Sequence, residues 1–501
     1  MSSSSAPEIT TMLQQAVTLH QQGQLQAAGD LYQQVLTRQP DHFDALQLLG
    51  VIARQGGDAP SALKYLNAAI AVNPAQAIAH CNLGATLQDL GRSAEALASY
   101  DRALQLNPAY LLALNNRGNV LRSLGRLEES LQNYQHALQL KPDYAEALLN
   151  RGISLQAMDQ HEAALADFDA AMQLKKNNID ACFARAVSLQ HLQYVEEAIQ
   201  DYDDVIHQQP HHAEAWCNRG ICLQKLQHYE EALTSYGNAL KIRPVYAKAQ
   251  QQLGRVLQLL ARDDEAIAAY GQALAQGADA EQINYALATL GKVAAPVASP
   301  AAYVTELFDQ YAGHFDQHLL TVLDYQVPVL LVAALERQGP PQRSNSLDLG
   351  CGTGLCARFL RPWSTRLTGV DLSARMLEKA RQTELYDDLH QMEIAAFLQQ
   401  SSQHYDVIVA ADVFVYIGDL HAVFAGVKKA LCKGALFGFS CEVSSTADYL
   451  LQPSHRYAHS LPYLQALADA HDFVLLEASQ AYARQDKGEK IRINIIVMQR
   501  K

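Results

Sequence analysis

The 501 residues carry a formal net charge of −13 and eight cysteines, and 49% of them are hydrophobic. A chain this long exceeds one ordinary core, so at least two domains are expected. The acidic balance argues against nucleic acid as the main partner, because phosphate binding wants a basic surface. No apolar run reaches the roughly 18–20 residues of a membrane span, and the opening "MSSSSAPEI" has neither a basic end nor an apolar signal core. A cytoplasmic protein with no membrane partner is expected. Cys81, Cys182, Cys217, Cys222, Cys351, Cys356, Cys432 and Cys441 form no C-x-x-C pair. Cys217 and Cys222 stand five apart on one predicted helix without a matching histidine cluster, so buried thiols and no metal are expected.

Residues 1–8 read as a disordered N-terminus. A periodicity follows. Pro40, Pro74, Pro108, Pro142, Pro210 and Pro244 are 34 residues apart or, once, twice that. Gly50, Gly84, Gly118, Gly152, Gly220 and Gly254 keep the same register, with Ala186 in the one repeat that has Lys176 for proline. A third column is Ala28, Ala62, Ala96, Ala164, Ala198, Ala232 and Ala266, broken by Ser130; a fourth is Tyr32, Tyr100, Tyr134, Phe168, Tyr202, Tyr236 and Tyr270. Such columns describe a helical hairpin: small residues let two antiparallel helices cross closely, the aromatic fills the gap, and proline ends the second helix.

This pattern resembles the tetratricopeptide repeat, with eight units in residues 9–280 starting near 9, 43, 77, 111, 145, 179, 213 and 247. The resemblance implies an α-helical superhelix whose concave groove binds a peptide or protein partner. Asn82, Asn116, Asn150 and Asn218 recur within "HCNLG", "LNNRG", "LLNRG" and "WCNRG". These segments resemble the repeats of O-linked GlcNAc transferase, where asparagine at this position lines the groove. A carboxamide both donates and accepts, so it can pair with an extended backbone whatever its side chains; the alternative is a solvated helix face. Residues 281–300 read as a capping helix and a Pro/Ala linker.

Residues 301–501 alternate short apolar runs with helical stretches, the mark of an α/β sheet. Strand candidates are "SLDLG", "RLTGVDLS", "YDVIVAADVFVY", "ALFGFSCEV", "FVLLEAS" and "RINIIVMQR", the last two forming a hairpin about "QDKGEK". The loop "DLGCGTG" is D-x-G-x-G-x-G rather than the dinucleotide pattern G-x-G-x-x-G, since Leu355 stands where the third glycine would be. With "TGVDLS" placing Asp371 some 21 residues after Gly350, this domain looks like a Rossmann-like class I S-adenosylmethionine-dependent methyltransferase.

That resemblance implies S-adenosylmethionine as cofactor, with Gly350, Gly352 and Gly354 beside its methionine part. It also implies Asp371 on the ribose hydroxyls, and Asp348 or its surroundings balancing the amino group. Family pattern adds Met376 near the adenine or ribose, or in the core, and Glu393 near the adenine amino group, or solvated. Asp412 ends a strand at the ligand-binding edge of the sheet. "YVTELFDQYAGHFDQHLLTVLDYQVP", "DVFVYIGDL" and "HRYAHSLPYL" extend the likeness to a bacterial group of methyltransferases that carry tetratricopeptide repeats. Phe308, Tyr311 and Phe315 recur at helical spacing, as a lid or as core. Tyr416, His455, Tyr457 and His459 are the candidates for acceptor positioning or base work. Three functions stay open: a methyltransferase whose repeats recruit a protein substrate, a scaffold with a cofactor-sensing or inactive domain, and a metabolite methyltransferase whose repeats serve assembly.

Overall fold

The computed structural model describes residues 5–313, 315–317, 319, 323–339, 343–445, 448–486 and 489–501. It forms two compact units, Met1–Ala249 and Gln250–Lys501. A helix already runs from Ser5 to Gln21, inside the stretch expected to be disordered; residues 1–4 lie outside the described ones.

In the first unit the helices come in pairs, such as Ala77–Asp89 with Ser93–Leu106 and Leu111–Ser123 with Leu127–Leu140. Each pair closes on the glycine and aromatic columns. A Cβ on Gly84 would stand 2.8 Å from the Tyr100 ring, on Gly118 2.5 Å from Tyr134, and on Gly152 2.5 Å from Phe168. All three rings are fully buried. Leu66 takes the ring's place opposite Gly50, where the corresponding distance is 2.6 Å.

Two further columns emerge that the proline and glycine register hides. The turn between paired helices needs a left-handed residue, supplied by Gly23, Gly57, Gly91 and Gly125 and then by Asp159, Gln193 and Gln227, all at positive φ. The second column is arginine. Arg117 bonds Asp101 at 2.7 Å and Asn133 at 3.2 Å; Arg151 clasps Asp167 at 2.6 and 2.8 Å; Arg185 holds Asp201 and, at 2.6 Å, Asp169; Arg219 bonds Asp203 at 2.6 Å and Ser235 at 2.9 Å. Each partner lies 16 residues before or after its arginine, so the guanidiniums of Arg117, Arg185 and Arg219 join the second helices of two successive hairpins. Gly118→Ala should destabilise this unit by about 1–3 kcal/mol, the scale of overpacking, despite the gain in helix propensity of about 1 kcal/mol. Urea unfolding followed by circular dichroism measures it.

The second unit opens with helical residues of the last repeat, in which Gly254 meets the Tyr270 ring, and with the helix Ala280–Thr289. Its sheet has nine strands: β1 Ser344–Leu349, β2 Ser364–Asp371, β3 Asp388–Gln391, β4 Tyr405–Ala410, β5 Leu431–Val443, β6 Tyr449–Leu451, β7 Tyr457–His459, β8 Phe473–Asp486 and β9 Glu489–Arg500. They lie in the order β3-β2-β1-β4-β5-β7-β6, with β9 pairing β5 and β8. Strands β1 to β5 pair in parallel, while β9 runs antiparallel to β5 and β8. Six strands coincide with the six apolar runs; β3, β6 and β7, of four, three and three residues, are too short to give a periodic signal. The run "YDVIVAADVFVY" is cut at Ala410, because Asp412 takes a left-handed φ of 59° and Phe414–Tyr416 winds into a 3-10 turn. At the β8–β9 turn, Lys487 and Gly488 lie outside the described residues.

The Pro/Ala stretch expected as a linker is held down. The Pro296 carbonyl accepts from Tyr457 Oη at 2.6 Å, the Val297 carbonyl from the Gly418 and Asp419 amides, and Ser299 N–H donates to the Tyr416 carbonyl at 2.8 Å. Ahead of it, Tyr285 Oη donates to the His455 carbonyl at 2.6 Å and pairs with Ser299 Oγ at 2.8 Å.

One acid lies deep in the sheet. Asp348 on β1 is 1% exposed and accepts a hydrogen bond from Tyr386 Oη at 2.7 Å. Burial pushes its carboxyl up to about 7, against the Tyr386 bond that favours the anion. A folded pKa above the unfolded one means that the native state holds the proton longer, so stability falls as pH rises between about 4 and 7 and levels off above. Asp348→Asn should remove that slope: its melting temperature relative to wild type should climb from pH 4 to pH 7 and then stay constant, as read by scanning calorimetry.

Candidate active site

In a parallel sheet, ligands bind where successive loops diverge at the carboxyl ends of the strands. Here the order reverses between β1 and β4, and the loops that follow them open a cavity of about 460 Å³. Gly350, Gly352, Asp371, Leu372, Glu393 and Ile394 line one part of it.

The loop after β1 turns through Gly350, Gly352 and Gly354, with φ of 64°, 54° and 95°. A Cβ on Gly350 would strike Val413 at 2.4 Å, so this glycine is fixed by packing as well as by φ. Gly352 differs: a Cβ there would meet no atom within 4 Å, so its backbone is bare toward the cavity. Asp371, last residue of β2, holds the loop, accepting from Gly352 N–H and from Ser373 N–H, both at 2.9 Å. Burial raises its carboxyl while these backbone bonds pull it back down. Glu393 caps the helix Ile394–Gln400, accepting from Ala396 N–H at 2.8 Å, and lines the same end. A bare loop backbone, a carboxylate at a strand end and the apolar Leu372 and Ile394 fit a ligand with a ribose and a flat base.

Three expected cofactor residues stand off the wall. Gly354 faces the Tyr386 ring, Asp348 lies beneath the loop, and Met376 is fully buried in the helix Ala374–Gln382. The apolar flank comes from residues 298–325, where Phe308, Tyr311 and Phe315 all reach the cavity and pack edge to face. Two hydroxyl bonds fasten this flank to the loops: Ser373 Oγ to Asp309 and Thr353 Oγ1 to Asp316, each 2.5 Å. His314, His318 and residues 320–322 of the segment lie outside the described residues.

Across the cavity from sequence expectation stands an ion network. Asp412 accepts from Arg456 at 2.6 Å and Arg484 at 3.3 Å; Glu442 on β5 accepts from Arg456 at 2.7 Å and Arg484 at 3.4 Å. Burial would raise the Asp412 carboxyl, but the two guanidiniums overcome it and hold it below the usual range. Tyr416 takes a bond from Arg456 Nη1 at 3.2 Å, and burial raises its phenol. Asp412, Tyr416, Arg456 and Arg484 all line the cavity.

The other three candidates for acceptor chemistry do not line it. His455 stacks against Tyr303, half-buried, and burial lowers it to about 4; His459 is fully buried, bonds the Gly418 carbonyl at 3.0 Å and is likewise lowered to about 4. Tyr457 is spent on Pro296. In "SHRYAHS" it is Arg456, not its histidine neighbours, that reaches the cavity. The signal is a cation immediately before a buried strand, with a second cation in "AYARQD"; pairing both with acids far along the chain needs the fold. Asn82, Asn116, Asn150 and Asn218 sit half-buried on the first helices of their hairpins. Asn150 donates to Asn115 at 3.0 Å, Asn116 accepts from Asn115 at 3.4 Å, and Asn218 accepts from Lys248 at 3.3 Å.

Comparison with known proteins agrees with this architecture. A methyltransferase-domain model matches residues 347–437, and tetratricopeptide-repeat models match 13–78, 77–110, 118–159 and 213–246. Human methyltransferase-like protein 27 is 44% identical over 85 residues, 16% of this chain and 34% of that one. Trans-aconitate 2-methyltransferase of Paracidovorax citrulli is 30% identical over 133 residues, 25% of this chain and 49% of that one. The chain thus spans about a third to a half of the length of these relatives. Among solved structures, a tetratricopeptide repeat protein of Parabacteroides merdae aligns at 22% identity and a TM-score of 0.40, over 48% of this chain and 96% of that one. Tetratricopeptide repeats followed by a class I methyltransferase domain make up this chain.

Proposed function

We propose that the chain is an S-adenosylmethionine-dependent methyltransferase whose repeats bind a peptide or protein partner and bring a substrate to the domain. The observation that carries the catalytic part is one cavity at the sheet's switch point with two chemically distinct ends: a glycine loop tied to Asp371, and an arginine-bearing end at Asp412 and Tyr416. When bound, the cofactor supplies an electrophilic methyl group. The chain's own residues hold and orient. Asp371 accepts ribose hydroxyls, the bare backbone at Gly352 admits the methionine part closely, and the aromatic flank at Phe308 and Tyr311 excludes water.

The repeats enter through the asparagine column. Half-buried carboxamides recurring at one position of successive hairpins suit sequence-tolerant pairing with an extended backbone. The existing bonds of Asn116 and Asn150 to Asn115 and of Asn218 to Lys248 set their orientation and leave acceptor and donor capacity for a peptide.

Asp371→Ala should weaken S-adenosylmethionine binding by about 1–3 kcal/mol, the scale for charge-assisted hydrogen bonds, while the domain stays folded; calorimetry reads both, and unchanged affinity removes the ribose role. Replacing Asn82, Asn116, Asn150 and Asn218 together by alanine in the full chain should reduce recovery of partners from extract at unchanged helical content. Equal recovery would sink the groove reading.

A further inference from the structure

Within that methyltransferase reading, on which this inference rests, we propose that the acceptor is a carboxylic acid with an apolar body, its carboxylate held by Arg456 and Arg484.

The wall of the acceptor end is of two kinds. One side is apolar, formed by Val304, Phe308, Leu319 and Leu323. The other presents the two guanidiniums. Both oxygens of Asp412 are already engaged, and Glu442 is not on the wall. Arg456 makes single bonds to Glu442, Asp412 and Tyr416, three for its five N–H hydrogens; the two bonds of Arg484 are long, at 3.3 and 3.4 Å. The acids therefore fix the cations in place and leave donors for an incoming anion, for which the fork of a guanidinium is matched to a carboxylate.

The bases available among the described residues point the same way. An alcohol, or an amine arriving as ammonium, must lose a proton to react. Among the described residues of the wall stand no histidine, lysine or cysteine. Asp412 is clamped by two cations, and Asp371 and Glu393 belong to the other end. Burial raises the phenols of Tyr325 and Tyr416, leaving neither ready to take a proton. A carboxylate needs no base: its oxygen forms the new bond to the methyl carbon as the carbon–sulfur bond breaks, the electron pair of that bond stays on sulfur, and no proton moves. The product is a neutral ester, which gives up its ion pair with the arginines and so leaves.

The test is binding to the full chain, without and with S-adenosylmethionine, using octanoate, octylamine and octanol as probes of one body and three heads. Calorimetry should give octanoate at least ten-fold tighter binding than either other probe, lost in Arg484→Gln, whereas Asp412→Asn, which removes a competing anion, should tighten it. Melting curves of both variants report folding. Octylamine or octanol bound as well as octanoate, octanoate binding unchanged in Arg484→Gln, or no probe bound, would overturn the inference. A second readout uses cofactor with a labelled methyl group and cell extract: label released as methanol by mild alkali supports an ester, and base-stable label overturns it. Failure of the wild-type chain to bind S-adenosylmethionine would instead defeat the methyltransferase reading itself.

Discussion

Four buried charges organise the business end of the second unit. Asp412, Glu442, Arg456 and Arg484 come from the loop after β4, the end of β5, the approach to β7 and β8, so their mutual bonds tie four separate segments. Burying any one alone would cost several kcal/mol; together they are neutral, and each is paired twice. The arrangement is exacting: loss of one member leaves an uncompensated charge. It also explains a backbone oddity. Asp412 sits at a φ of 59°, a sparsely populated region for a residue other than glycine, and strain of this kind persists where surrounding bonds over-determine it. Here Ser440 Oγ takes its N–H at 2.8 Å and two arginines hold its carboxylate.

The sheet makes room for this network. Strand β4 pairs with β5 as far as Phe439, and beyond that point Glu442 and Val443 pair with β7, while β9 follows the opposite edge from Leu436 to Glu442. Where β4 ends, β7 takes up its edge, and the gap between them is where Asp412 and Arg456 meet. The short strand β7 therefore determines the side of the cavity where Arg456 stands. The glycine-loop side is built differently, from one loop whose glycines and tethering acid lie within 22 residues of sequence, Gly350 to Asp371.

That contrast accounts for what the sequence discloses. Local and periodic features read directly: the helical hairpins, because a Cβ on Gly84, Gly118, Gly152, Gly220 or Gly254 would stand under 3 Å from the ring it faces, and the glycine loop with Asp371. What depends on long-range pairing does not. Tyr386 buttressing Asp348, Asp309 and Asp316 fastening the flank, and the Arg456–Glu442 and Arg484–Asp412 bonds all join residues between 14 and 72 positions apart. The histidines of "SHRYAHS" have the chemistry for acceptor work, yet their rings serve packing; composition cannot say which way a side chain turns out of a short strand. The arginine column of the repeats was visible in "NRG" but draws its meaning from acids 16 residues away, on other helices.

The junction before residue 301 shows the same rule applied to domain boundaries. Proline and alanine in "VAAPVASP" read as a spacer because neither makes polar demands through its side chain. The main chain has demands of its own, and they are met by the α/β sheet's loops: Pro296, Val297 and Ser299 are each bonded there, and Ser299 lines the cavity. Tyr285, on the helix Ala280–Thr289, spends its hydroxyl on Ser299 and on the His455 carbonyl, and Gln258 from the last repeat donates to Thr289 at 2.8 Å. Helical residues of the repeat pattern and the wall of the cavity are consequently parts of one compact unit that begins at Gln250. A cut at residue 300 would strip Tyr457, Tyr416 and Gly418 of partners in a buried place, each loss leaving a polar group unsatisfied at about 1–3 kcal/mol. The α/β unit is thus completed by the end of the repeat array, which makes the helix Ala280–Thr289 part of the support of the cavity as well as the helix that follows the repeats.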